Sequence, residues 1–337
     1  MYGLYYKQTI RMKVKLFMTM ATATIILAGC SNDENEVADN WNGEIRLTSG
    51  VTVQTRSNTQ ATQIQEGETV YVWADKASPT TEYIKAWTLT ADGNNGFKNN
   101  STPQYYPTDG SNLDFYALHG NFASNAFTEN TAEFPATAIV HSVEADQSGT
   151  EAYAKSDLLY AVQKNVARSK DAVELTFYHM LSKVEVALKS GDGNPDLTGA
   201  AVTIVGTKLK ADFTPDKSAT ITEQVARAGM ITIPGDNNDA TPITIRTVTT
   251  TDFNGNSEHG EAVVLPKQTI SQNTPFIQVT LANKAVFSYK IPDAGGLTLE
   301  SGKKYTYKIT VNQTGLTVTS KIENWTSEEK VGDAEMD

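Results

Sequence analysis

From Trp41 to Trp325 apolar and polar positions alternate with a period of two, and Thr, Val, Ile and Tyr recur throughout. That is the pattern of half-buried β-strands. It predicts strands at Glu44–Val53, Thr69–Ala74, Leu113–Leu118, Asp157–Val162 and Val173–Tyr178. A second series is predicted at Lys183–Leu188, Ala201–Gly206, Met230–Ile233, Ile243–Thr249, Ala262–Leu265, Phe276–Leu281, Ala285–Ile291, Lys304–Val311 and Leu316–Ile322. Lys304–Val311 shows the alternation cleanly: Tyr305, Tyr307, Ile309 and Val311 share one face, Lys304, Thr306, Lys308 and Thr310 the other. Between the strands lie turn pairs such as Asp92-Gly93, Asn95-Gly96, Asp109-Gly110, Asp192-Gly193 and Thr314-Gly315. Helical periodicity is scarce; Thr222–Ala228 suits a turn or two of helix. Many short strands with frequent turn signals specify an all-β chain of antiparallel sandwiches, and no period of 20–50 residues signals a propeller or solenoid.

The first forty residues follow a different pattern. Lys13 and Lys15 precede a largely apolar run, Leu16–Leu27, too short to span a bilayer and laid out as a secretory signal. The run closes on Leu27-Ala28-Gly29-Cys30, which resembles the lipobox of bacterial lipoproteins; that resemblance implies a lipidated Cys30 as the mature N-terminus. Ser31–Asn40 is acidic and free of large apolar groups, as a flexible tether is. It also resembles, more weakly, the surface-export signal of Bacteroidetes lipoproteins. Met1–Arg11, with Tyr2, Tyr5 and Tyr6, fits no targeting region, so translation is expected to begin at Met12, Met1 being the alternative. The resulting organisation is a signal peptide over 1–29, a tether over 30–42, and sandwiches over 43–180 and 181–337. The second boundary is placed near Met180–Ser182, where two strand patterns of different face alternation meet.

The net charge is −11, and positions 1–29 contain only basic charges, so the remainder is more acidic still. Such a surface repels phosphate backbones and anionic head groups, which excludes nucleic acid as a partner and leaves the Cys30 lipid as the membrane tie. Cys30 is the single cysteine; disulfides and thiolate zinc sites are therefore excluded. His119, His141, His179 and His259 show no metal-ligand spacing, and no nucleophile elbow, phosphate loop or zincin motif occurs. His179 reads first as a structural histidine at a strand end and second as a catalytic one. Asp192, Asn194 and Asp196 begin like a calcium loop, but Leu197 and Thr203 stand where that loop needs Gly and a bidentate Glu; a solvated turn is the simpler reading. Asp236–Asp239 reads as a polar hairpin tip. Trp73, Trp87, Tyr105 and Tyr106 are candidates for a glycan platform, against the alternative of strand packing. No catalytic residues, metal or cofactor are expected.

Several segments together resemble the fimbrillin family of Bacteroidales, the subunits of type V pili. They are Thr55-Arg56 in a polar loop, Val70-Tyr71-Val72-Trp73 after Gly67-Glu68, and Asp157–Ala161. Leu175–Val186 and the closing Gly302–Ile309 through Ile322-Glu323-Asn324-Trp325 complete the set. The resemblance implies two tandem transthyretin-like antiparallel β-sandwich domains, lipoprotein export, and assembly at the cell surface with other fimbrial subunits. It further implies that an arginine-specific protease cuts after the first strand, which then leaves a groove for a neighbour's strand. Glu44–Val53 is the candidate removable strand. Arg56, in the ten-residue polar loop Gln54–Gln63, is the candidate cut site, with Arg46 the runner-up. The segment near Leu316–Trp325, or residues beyond it, is the candidate donor. The competing expectation is a monomeric surface lipoprotein that binds a glycan or host ligand on the same fold.

Overall fold

Strands form where period-two alternation predicts them, because each buries one row of side chains while its backbone completes ladders with its neighbours. The structure, a computed structural model, describes residues 41–51, 63–99, 102–235, 239–250 and 257–325. Cys30, Arg56, Met12 and most of the Asp236–Asp239 tip lie outside the described residues.

The first part contributes β1 (Leu47–Val51), β2 (Thr69–Ala77), β3 (Thr80–Ala91), β4 (Phe97–Asn99), β5 (Leu113–His119) and β6 (Ile139–Ser142), then α1 (Thr150–Ser156), β7 (Leu159–Val166) and β8 (Val173–His179). The second part begins with β9 (Ser182–Ser190), β10 (Ala201–Ile204), β11 (Lys210–Phe213), α2 (Gln224–Gly229), β12 (Ile231–Thr232), β13 (Ile243–Thr244), β14 (Arg246–Thr250) and β15 (Ser257–Val264). It ends with β16 (Thr269–Ile270), β17 (Pro275–Thr280), β18 (Val286–Lys290), β19 (Leu297–Thr298), β20 (Lys303–Asn312) and β21 (Gly315–Asn324).

One seven-stranded sheet has the order β1-β8-β7-β5-β2-β3-β4, and its two ends meet, since Thr48 of β1 bridges Gly96 beside β4. Inside that closure lies a core that includes Leu47, Val72, Phe115, Leu175 and Phe177. The chain then crosses at Met180–Leu181 to a five-stranded sheet, β14-β15-β9-β20-β21, which packs with the sheet β13-β10-β17-β18. The larger core extends over both parts: Trp73, Tyr116 and Tyr160 of the first sheet join Phe213, Phe276 and Tyr307.

Several features among the described residues depart from the expected pattern. Two pairings are parallel, β1 with β8 and β9 with β20. Strand β3 was not expected, because Ala86 sits at φ 36° and the β2–β3 register shifts twice, which disrupts its alternation. The short strands β4, β6 and β11 carry too few residues to show a period. The expected strand Asp157–Val162 begins instead at Leu159, because Asp157 caps the short helix α1.

His141, wholly buried, ties β6 to the end of α1. Its Nδ1 accepts the Asn121 N–H at 3.2 Å, which leaves Nε2–H to donate to the Ser156 carbonyl at 3.0 Å. Burial, only partly offset by the Ser156 bond, lowers its pKa from 6.5 to about 4. The unfolded chain therefore takes up this proton first. Stability should fall as pH drops from about 6.5 toward about 4, by roughly 3 kcal/mol in total. Denaturant titrations at pH 7 and pH 4.5 should show that loss in the wild type, with a clearly smaller loss in His141→Asn.

Candidate functional site

Residues 41–51 form an extended segment seated between two neighbours. On one side β1 runs parallel to β8, from Leu47 opposite Val173 to Val51 opposite Phe177. The Val173 N–H donates to the Arg46 carbonyl at 2.8 Å. On the other side Ile45 N–H donates to Gln104 O at 2.8 Å, Tyr106 N–H to Gly43 O at 2.9 Å, and Ser49 N–H to Asn95 O at 2.8 Å. Ile45, Leu47, Ser49 and Val51 are buried while Arg46 is exposed, so the segment presents one row to the core. Burying its three apolar side chains stabilises the seat by about 2 kcal/mol each, as an upper bound. If the segment left, its two neighbours would flank an apolar groove with unpaired donors and acceptors.

A clamp secures the start of the segment. The Trp41 indole N–H donates to Glu44 O at 3.0 Å, its ring meets Tyr106 edge-on at 6.1 Å, and the Arg168 guanidinium lies 4.9 Å over it. Gly43 has φ +90°, a backbone conformation that favours glycine, and a Cβ there would come within 2.7 Å of Arg168 Nη2, so a larger residue would also push that cation aside. Sequence reading missed this clamp, for which Trp41 two residues before Gly43 was the available signal.

Beyond Val51 the chain leaves the described residues and returns at Gln63, followed by Ile64, which is 3% exposed in the same core. The stretch that contains Arg56 is thus bounded by seated residues at both ends. Arg46 has an exposed side chain, but its carbonyl is engaged in the β8 ladder, out of the extended reach a protease requires.

Beneath the end of β1 lies a cavity of about 20 Å³ lined in part by Val51, Ile64, His119, Asp157 and His179. His179 Nδ1 lies 2.8 Å from Asp157 Oδ2, and its ring stacks on Trp325 at 3.9 Å and 8°. His179 Nε2 and Asp157 Oδ1 are buried without a hydrogen-bond partner. The strand parity that places Val173, Leu175 and Phe177 inward also places His179 inward, so its burial was readable. Its two partners, 22 residues before it and at the end of β21, were not.

The remaining candidates are scattered. Trp73, Trp87 and Tyr106 are buried and divided between two cores, with only Tyr105 exposed, so the four offer no common stacking surface. In the Asp192–Asp196 turn, Asp192 N–H donates to Asn312 Oδ1 at 2.9 Å and Asp196 Oδ1 accepts the Thr198 N–H at 2.9 Å. That Asp196 bond, with a second from the Thr198 side chain, lowers the Asp196 pKa. His119 places its ring nitrogens 2.9 Å and 3.2 Å from the carbonyls of Thr69 and Ala154. Among the described residues the last strand, β21, pairs only with β20, and Trp325 is the one buried side chain from Gly315 to the last described residue.

The family described as fimbrillin-like matches residues 55–325. Fim1C, a provisionally assigned fimbrium subunit of Bacteroides uniformis, is 25% identical over 325 residues, which cover 94% of this chain and 96% of that protein. A provisionally assigned cell adhesion protein from Bacteroides uniformis has a similar crystal structure, with TM-score 0.57, 19% identity, and coverage of 85% of this chain and 100% of that one. A second, from Bacteroides ovatus, has TM-score 0.58, 15% identity, and coverage of 85% and 99%. At these identities the structural likeness concerns the fold alone.

Proposed function

The chain belongs to the fimbrillin-like family, and from that premise we propose that it is a non-enzymatic subunit of surface fimbriae that polymerises by strand exchange and supports adhesion. In this reading the precursor is held at the outer membrane by lipid on Cys30. Cleavage after Arg56 then frees residues 30–56, and a strand from another subunit takes the vacated seat.

The observation that carries this reading is the seat of β1. It is the first described strand, it closes the seven-stranded sheet between β8 and β4, and it is followed directly by the loop with the candidate cut site. The donor side has support in the pattern of β21. The inward row of the first segment reads Ile45-x-Leu47-x-Ser49-x-Val51, and β21 reads Leu316-x-Val318-x-Ser320-x-Ile322. In that register Lys321 takes the place of Gly50, whose Cβ would point at Glu174 Oε1 from 2.9 Å, so a cation there meets a carboxylate. Ile322 is 54% exposed in its own subunit and gains by transfer to a groove.

The reading is tested by whether an arginine-specific protease turns monomer into oligomer and whether Arg56→Ala prevents it. An uncut monomer that retains a sugar or host ligand would favour the ligand-binding alternative. For the lipid anchor, Cys30→Ala should shift the protein from the membrane fraction to a soluble or unprocessed form. Unaltered fractionation, with lipid label retained, would remove Cys30 from the scheme.

A further inference from the structure

The strand-exchange reading requires both an acceptor groove and a donor strand, and the structure connects the two through a single stacked pair. His179 is the last residue of β8, the strand against which β1 lies. Its ring stacks on Trp325, the residue that follows β21, with a ring separation of 3.9 Å and an interplanar angle of 8°. Backbone contacts reinforce this junction: Trp325 N–H donates to Gly302 O at 2.6 Å, Gly302 N–H to Leu181 O at 2.7 Å, and Ser301 Oγ to Met180 O at 2.7 Å. The turn before β20 therefore fastens the end of β21 to the two residues that follow His179.

We propose that the His179–Trp325 stack, oriented by Asp157, keeps β21 pinned while β1 fills its seat and releases it once β1 departs. This inference rests on the strand-exchange reading and adds its regulation: a subunit frees its own donor strand only after its groove has opened, which prevents premature polymerisation.

Three observations carry it. First, Val51 of β1 and the Asp157–His179 pair line the same small cavity, so loss of β1 brings solvent directly to that pair. Second, Asp157 Oδ1 and His179 Nε2 are buried without hydrogen-bond partners, and buried polar atoms left unpaired gain from hydration. Water that reaches Nε2 competes with the position the ring holds against Trp325. Third, apart from its ladder with β20 and the Trp325 N–H bond to Gly302, β21 has little that retains it. It is hydrogen-bonded along one edge only, its apolar residues Leu316 and Val318 are half-buried, and Ile322 is mostly exposed. An edge strand with one buried anchor opens locally at low cost once that anchor is lost.

Hydrogen–deuterium exchange on the monomer fraction of the mature chain tests the link. The intact protein should protect Gly315–Asn324. Cutting in the 54–63 loop should speed exchange there about tenfold, and uncut Leu47→Ala, which loosens β1 without proteolysis, should act in the same direction. Uncut Trp325→Ala should reach the level of the cut wild type while β1 stays protected, and cutting that variant should add nothing further. His179→Phe preserves a stacking ring but offers no nitrogen to water, so its β21 should stay protected after the cut. Val279→Ala, in the core away from the junction, should not speed β21 selectively. Unchanged β21 protection in both the cut and Leu47→Ala proteins would overturn the proposal, as would additive effects of Trp325→Ala and cutting, or a freed β21 in cut His179→Phe. If β21 follows β1 yet no oligomer forms, the strand-exchange reading fails and the link stands. If oligomers form while β21 of the cut monomer stays protected, the link alone fails.

Discussion

Arginine-specific proteolysis should convert the mature monomer into a ladder of oligomers that persists in detergent, whereas Arg56→Ala should remain a single monomer band. The expected loss of oligomer on substitution is about a hundredfold or more, because the seat of β1 is closed on both sides before the cut. Its departure exposes Leu175 and Phe177 of β8 together with the unpaired edges at Val173 and Gln104. A donor strand that refills the groove regains three or four buried side chains at about 2 kcal/mol each, along with the backbone ladder. Exposed charge contacts contribute only about 0–1 kcal/mol each and would not survive detergent. Gel electrophoresis without boiling reads the ladder, and N-terminal mass spectrometry reports whether the new terminus is Ser57. Polymerisation that proceeds equally well in Arg56→Ala and Arg46→Ala would show that strand release is not the trigger.

Glu261→Ala should be the most destabilising single substitution in the second sheet, with a loss of about 3–5 kcal/mol and a fall in Tm on the order of 10 °C. Glu261 is fully buried between two cations: Lys183 Nζ lies 2.6 Å from one carboxylate oxygen and Arg246 Nη2 lies 3.6 Å from the other. The ladder continues through Lys183 to Glu185 at 3.1 Å and from Glu185 to Lys304 at 3.3 Å. Burial alone would depress the Lys183 pKa, but Tyr153, Glu261 and Glu185 outweigh it and raise it well above the usual lysine range. Removing Glu261 leaves two buried cations undercompensated, which costs far more than the pair contributes over an apolar substitute. The double variant Lys183→Met, Glu261→Leu removes one of the two cations and should therefore recover part of the loss. Thermal and denaturant unfolding of the three proteins checks this, and a Glu261→Ala protein within about 1 kcal/mol of wild type would show that the ladder is not a compensated unit.

This ladder also shows where sequence reading stops. In Lys183-Val-Glu185-Val and Lys304-Tyr-Thr-Tyr the alternation correctly separates two faces, and the apolar residues are in the core. A charged row on a strand reads as a solvated face, yet Lys183, Glu185 and Lys304 are buried. Tyr153 of α1 lies against this face, with Arg246 4.9 Å over its ring. Alternation reports which side chains share a face; it carries no information about what another segment lays over that face. The helix responsible was itself missed because a seven-residue helix is too short to show a period.

The sequence by itself determined the all-β class, most strand positions, the inward parity of the first strand and of β8, and a family resemblance that the fimbrillin-like match bears out. These follow from local rules: side-chain period, turn chemistry, and short motifs read along the chain. Only the tertiary structure decided that β1 runs parallel to β8, that it meets Gly96 to close the sheet, that three of the four candidate platform aromatics are buried, and that His179 stacks on Trp325. Each of these joins residues far apart in sequence, or selects one partner among many strands of similar pattern. Such selection depends on how whole faces bury one another, and no local period encodes it.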